Sequence, residues 1–235
     1  MGSNYFSLTV IPTVSRINLC DLSNNSGMVQ ANDLHPTKSA LLMAMVQLLE
    51  TKAPEDLRTE DVLELAHVSK GSLYHHFRNL PQLLDAAQVY RYSKAIDKAV
   101  AGVENLINQA RIREDMVEGM KRIAAVQQSE ELRQVRHDQI SQLAAASKNE
   151  ELKDAIGREQ ERLTAALAKL FEHSVVRGWG NPTLDPHAAA VFARALTIGK
   201  IVDDVTREKM NPDHYLEIID QVLSTVFFPS EELTG

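Results

Sequence analysis

The sequence predicts an all-α protein, and three observations carry that expectation. From Thr37 onward apolar residues recur at helical spacing, no apolar–polar alternation of the strand type follows residue 35, and the breaks between segments fall at Pro and Gly. The expected organisation is an amino-terminal arm or extension over 1–35, a three-helix helix-turn-helix domain over 36–80 and a larger helical domain over 81–235.

Composition narrows the classes. A chain of 235 residues has room for a small domain and a larger one. With 44% hydrophobic and 24% charged residues it has the profile of a soluble globular protein. No apolar run approaches the ~18 residues of a membrane span. The first thirty residues lack a basic start followed by an apolar block, so no secretory signal is expected. The single cysteine, Cys20, cannot form an internal disulfide, which suits a reducing cytoplasm. The formal net charge is −7, so any contact with nucleic acid has to come from a local patch.

Residues 1–35 are rich in Ser, Asn and Thr, with short β-like runs at "YFSLTVI" and "RINLC". They read as an arm, or as an upstream translated segment, since Met28 lies just before the first helical pattern. The first helix has a stripe at Leu41, Leu42, Met45, Leu48 and Leu49, and Pro54 ends it. Thr59 is the expected N-cap of the second helix, with Glu60 and Asp61 at its positive end. Asn79 and Pro81 open a fourth helix expected to reach about Ala101. Further helices are expected over 111–128, 130–147, 149–177, 186–206 and 212–228, separated at Gly178–Pro182 with Pro186, and at Pro212.

The stretch "VSKGSLYHHF", Val68 to Phe77, carries the most information. With Ser69 as N-cap, Val68 and Leu73 form a hydrophobic staple, and Leu73 and Phe77 point inward together. Gly71, Tyr74, His75 and Arg78 then face outward, with Lys70 and Ser72 beside them on the first turn. Gly71 lets a large partner approach the backbone. Leu65 to Leu84 contains Lys70 and Arg78 and no Asp or Glu. Two short helices joined by a tight turn, "TEDVLELAHVSKGSLYHHF", describe a helix-turn-helix whose second helix would enter a DNA major groove.

"VLELAHVSKGSLYHHFRNLPQLLDA" resembles the DNA-binding signature of the TetR family of one-component bacterial regulators, and the likeness runs over residues 37–86. The resemblance implies a larger ligand-binding and dimerisation domain and a homodimer on a palindromic DNA operator. It also implies phosphate-contacting roles for Thr59 and Tyr74, and groove-facing or base-reading roles for Lys70, Gly71, Ser72 and His75. His76 is a backbone contact or a packing residue. The sequence departs from the family pattern at three places. His67 stands at the turn glycine, Glu60 where a basic residue is frequent, and Leu80 where lysine is common. Phosphate grip is then weaker, or comes from Lys38, Lys52 or the arm.

In the larger domain, Ala189, Ala193 and Gly199 among Phe192, Leu196 and Ile198, and the apolar set Tyr215, Ile218, Ile219, Val222, Val226 and Phe227, look like the family's dimerisation pair; an internal core pair is the alternative. Met116, Met120 and Ile123 share one face, Ile140 and Leu143 another, and Leu163, Ala166, Leu167 and Leu170 follow on the long helix. Most of these suit a core. An unknown small-molecule effector is expected against Tyr92, Ile96, Met116, Met120, Ile123, His137 and Leu167. Arg133, Arg136 and His137 could hold an anionic or hydrogen-bonding ligand or form a solvated or salt-bridged helix face.

No Gly-rich phosphate loop, HExxH, CxxC or GxSxG occurs, and His75-His76 and Asp203-Asp204 are adjacent pairs that splay apart on a helix. No enzymatic activity, cofactor or metal is expected. Two readings remain: a cytoplasmic ligand-responsive regulator, most simply a repressor, and a DNA-binding protein of the same fold that answers to a protein partner or organises the chromosome.

Overall fold

A computed structural model describes residues 35–230, and every described element is helical. The chain divides into two compact units, one ending at Leu83 and the other beginning at Leu84. The arm expected over 1–35 lies outside the described residues except for His35.

The first unit contains α1 (Pro36–Leu48), α2 (Thr59–Ala66) and α3 (Lys70–His76), with a 3-10 turn at Pro54–Asp56. His35 caps α1 by accepting from the Thr37 amide, and Pro36 occupies the first turn, where no backbone donor is needed. Leu41, Leu42, Met45 and Leu49 are buried as their spacing requires, Leu48 is only half-buried, and Ala44 and Val46 join the core. Val62, Leu73 and Phe77 close it from the other two helices. One expectation shifts: the N-cap of α2 is Arg58, and Thr59 is the first helical residue. The Asp61 carboxylate accepts from the Arg58 backbone N–H at 3.3 Å, so the chain is fixed as helix one residue earlier.

The second unit takes in most of α4 (Leu80–Gln109), then α5 (Arg113–Gln128), α6 (Arg133–Ala146), α7 (Glu150–Val176), α8 (Pro186–Gly199), α9 (Ile201–Asp204) and α10 (Pro212–Val222). Its packing pairs α7 with α8, α6 with α7 and α5 with α10. Two apolar clusters form. The larger centres on Met116, Leu170, Phe171, Ala190, Phe227 and Phe228; the smaller contains Tyr92, Ile96, Ala146, Leu152 and Ile156. Leu163 packs against both.

Three predicted boundaries are corrected. Helix α4 runs past Ala101 to Gln109, because its buried stripe continues through Val103 and Leu106 and Gly102 leaves it unbroken. The segment expected as one helix over 186–206 breaks after Gly199, and α9 is fastened separately through Asp204. The last helix ends at Val222 and widens into a π-helical turn, Leu223–Phe227, closed by a bond from the Phe228 N–H to the Leu223 carbonyl at 2.8 Å. That extra residue per turn brings Leu223, Phe227 and Phe228 all into the core. The Arg113 guanidinium donates to the Phe228 and Ser224 carbonyls and satisfies the end of the π-helical turn.

Candidate nucleic-acid interface

The helix-turn-helix is built by local chemistry. His67 sits at φ 54, ψ 41, the left-handed region, and ends α2. Ser69 then caps α3: its Oγ accepts from the Ser72 N–H at 3.1 Å. Leu73 is fully buried and Phe77 nearly so, which turns the opposite face of α3 to solvent.

That face carries Lys70, Gly71, Tyr74 and His75, all exposed, Tyr74 at 49%. A Cβ added to Gly71 would meet only Ser69 Oγ, at 3.8 Å. The fold therefore has room for a side chain at that position. Ser72 is less free than its neighbours, since it is half-buried and its hydroxyl lies 3.0 Å from that of Ser69. Thr59 is half-buried at the start of α2.

His76 is a packing residue, with its ring 4.8 Å from that of His35 and 4.9 Å from that of His75. Loss of hydration, and the like charges of His35, His75 and Lys38, push its imidazole below the ordinary histidine value. The two lysines offered as substitute phosphate contacts are engaged within the domain. The Lys38 ammonium lies 5.6 Å from the centroid of the Phe77 ring, and Lys52 pairs with Asp61 at 2.8 Å.

With this geometry in view, residues 41–87 match the family described as bacterial regulatory proteins, tetR family. The first domain is a TetR-family helix-turn-helix domain. Over 82% of its length the chain has the fold of a solved TetR-type regulator. A TetR-family regulator from Mesorhizobium loti is 20% identical, with 82% of this chain and 97% of that one covered and a TM-score of 0.63. A transcriptional regulator from Saccharomonospora viridis in complex with choline is 14% identical, covering 82% and 98%, at 0.62. NemR of E. coli in its reduced form is 19% identical, covering 83% and 100%, at 0.58. No curated protein matches the chain.

The residues expected around an effector are split between the two cores of the larger domain. Tyr92 and Ile96 belong to the smaller cluster, Met116, Met120 and Leu167 to the larger, and Ile123 packs against the larger. Five of them are 0–8% exposed, so as they stand they are packing residues. A cavity of about 10 Å³, room for one water, lies elsewhere, lined by Phe171, Val175, Leu184, Ala189 and Phe227. His137 is half-buried on α6.

Its neighbour Arg136, from the same Arg133, Arg136 and His137 group, is engaged within the domain. Arg136 is bound to both carboxylate oxygens of Asp204, at 2.7 and 2.9 Å, and to the Gln127 and Ser129 carbonyls, each at 2.8 Å. The guanidinium holds the Asp204 carboxyl well below the usual carboxylate range. Arg133 pairs with Glu130 at 3.5 Å. Arg133 and Arg136 are thus salt-bridged, and four of the five Arg136 N–H donors are engaged within the domain.

The helices expected to dimerise have mixed faces. Ala189, Ile219 and Phe227 are inside the chain's own core, while Val191, Phe192, Ile218 and Val226 are exposed large apolar residues. Among the described residues no helix is long and apolar enough to cross a membrane.

A polar junction of α4, α7 and α8 was not expected from the sequence. Arg194 Nη1 donates to the Gln160 carbonyl at 3.0 Å and to Thr164 Oγ1, and the Gln160 amide donates to the Tyr92 hydroxyl. The available signal was Arg194 itself, the one Lys, Arg, Asp or Glu within "PHAAAVFARALTIG".

Proposed function

We propose that the chain is a ligand-responsive transcriptional regulator that represses by binding a palindromic operator as a homodimer and is released by a small apolar or amphipathic molecule. The observation that carries this reading is the outward face of α3: exposed, free of carboxylates from Lys70 to His76, and set on a TetR-family domain. In the proposal Lys70, Gly71, Ser72 and His75 meet the groove, and Thr59 and Tyr74 meet phosphates. The exposed Phe192 and Ile218 support self-association, which a palindrome requires.

Induction would act on spacing. Paired recognition helices have to lie about one DNA turn, roughly 34 Å, or a multiple of it apart. Helix α4 is continuous from Leu80, just after α3, to Gln109. An effector displacing Tyr92 and Ile96 would move that helix and disturb the spacing. DNA and effector would then weaken one another equally, with a usual coupling of ~1–3 kcal/mol.

The test is to select an operator from random DNA, then measure its affinity by fluorescence anisotropy for wild type and for Tyr74→Ala, with and without compounds that raise thermal stability. The proposal expects Tyr74→Ala to weaken binding and a stabiliser to release the operator. The second reading, a DNA-binding protein governed by a protein partner or by chromosome architecture, draws support from the filled cores around Tyr92 and Met116. It gains if every stabiliser leaves operator affinity unchanged.

A further inference from the structure

The junction of α4, α7 and α8 holds one cation too many. Glu159 stands close to Tyr92, and Arg162 links it to a second carboxylate, Asp97 on α4. Arg162 pairs with both, at 2.6 and 2.7 Å, and Lys94 adds a contact to Asp97 at 3.3 Å. Those four charges cancel. Arg194 is the surplus: it is half-buried, and among the described residues no carboxylate pairs with it.

Its Nη1 is anchored to the Gln160 carbonyl and Thr164 Oγ1, so the guanidinium is held in place, and among the described residues Nε and Nη2 keep their donors. The Tyr92 hydroxyl is nearly buried; it accepts from the Gln160 amide, and nothing among the described residues accepts its own proton. The Thr164 hydroxyl is already committed to the Gln160 carbonyl at 2.9 Å. Burial pulls the Arg194 guanidinium below its ordinary value, and the nearby Tyr92 is the one group that offsets this. Beside this polar corner Ile96, Ile156 and Leu163 present hydrocarbon.

A positioned guanidinium fork and a phenol proton match the two oxygens of a carboxylate, and the adjoining aliphatic side chains match a hydrocarbon body. We propose that the effector is an organic monocarboxylate whose carboxylate is taken by Arg194 and Tyr92 and whose body displaces the aliphatic packing at Ile96 and Leu163. This rests on the effector-released reading above and names the chemical class that reading leaves open.

The experiment sets the linear carboxylates from butanoate to decanoate beside the alcohol of each length, with binding read by thermal shift and calorimetry. At least one carboxylate is expected to bind more tightly than its alcohol. Arg194→Met is expected to weaken that carboxylate roughly tenfold to a hundredfold, the loss of a hydrogen-bonded charge contact. It should leave the alcohol unaffected. Tyr92→Phe, which removes one oxygen and keeps the ring, is expected to weaken the same carboxylate while leaving the fold intact, and it replaces Arg194→Met if that variant fails to fold. Carboxylates and alcohols binding alike, no carboxylate of the series binding, or both variants binding the carboxylate like wild type would each overturn the assignment. Operator anisotropy in the same samples separates the two claims. A carboxylate that binds through Arg194 yet leaves the operator bound sinks the release mechanism and keeps the site. A neutral alcohol that alone releases the operator sinks the site and keeps the mechanism.

Discussion

The Arg136–Asp204 pair should be among the costliest contacts in the larger domain to break from one side. Its side chains are 3% and 0% exposed, and Arg136 also satisfies two backbone carbonyls. Replacing Arg136 by Met leaves a buried carboxylate whose remaining partner is Lys200, at 2.9 Å. Breaking a buried pair from one side costs about 3–5 kcal/mol, and Lys200 holds the figure near the lower end. For a chain of this size a loss of about 3 kcal/mol lowers Tm by roughly 6–12 °C. Scanning calorimetry and urea titration of Arg136→Met, Asp204→Leu and the double variant give the coupling. The double variant should be more stable than Arg136→Met, because no charge is stranded and Lys200 keeps Asp203 at 2.7 Å. The acid limb gives a second check. Asp204 has a lowered folded-state pKa, so its contribution is fully present above the ordinary value of 3.8 and is lost as pH falls below it. That loss should shrink in Arg136→Met. A single variant within about 0.5 kcal/mol of wild type, or a double variant worse than the sum of the two singles, would refute the reasoning.

Other expectations follow from the first domain and from the exposed faces. Tyr74→Ala should weaken operator binding broadly without unfolding the domain, since the ring is 49% exposed, while Lys70→Ala should change sequence preference by ~1–3 kcal/mol if a base contact is lost. Selection on randomised DNA distinguishes the two, and unchanged preference in Lys70→Ala together with unchanged affinity in Tyr74→Ala counts against α3 as the reading helix. His67→Gly should keep DNA binding and hold or raise Tm, because φ 54 strains a side chain that glycine lacks; a clear fall in Tm would reveal a stabilising contact of the imidazole. Phe192→Glu should yield monomer by light scattering, given that Phe192 is 51% exposed, and a wild type already monomeric at micromolar concentration would remove the dimer proposal.

The parts legible in the sequence were those fixed by near neighbours. Ser69 capping Ser72, Leu73 and Phe77 four apart, and His67 as a left-handed residue are all short-range arrangements. What escaped depends on distant pairing. Nothing near Asp204 announces Arg136, and nothing near Arg194 announces Gln160 or Tyr92; each pairing joins separate helices. The apolar positions of α5 and α7 were visible as buried, yet periodicity cannot say which of two cores a buried residue joins. Met116 and Tyr92 were for that reason grouped together and are found in different clusters.

Gly71 sets folding against reading. Its missing side chain would meet nothing nearer than 3.8 Å, so the domain alone gains by alanine there, about 0.5–1 kcal/mol of helix preference. A DNA backbone pressed against that turn, as proposed, would take the opposite view. In a saturation library sorted once for cellular abundance and once for reporter silencing, substitutions at this codon should rise in the first sort and vanish from the second. Few other positions in the domain should divide the two selections so cleanly. Buried Leu73, two residues on, should be depleted in both, because there the needs of the fold and of the operator coincide.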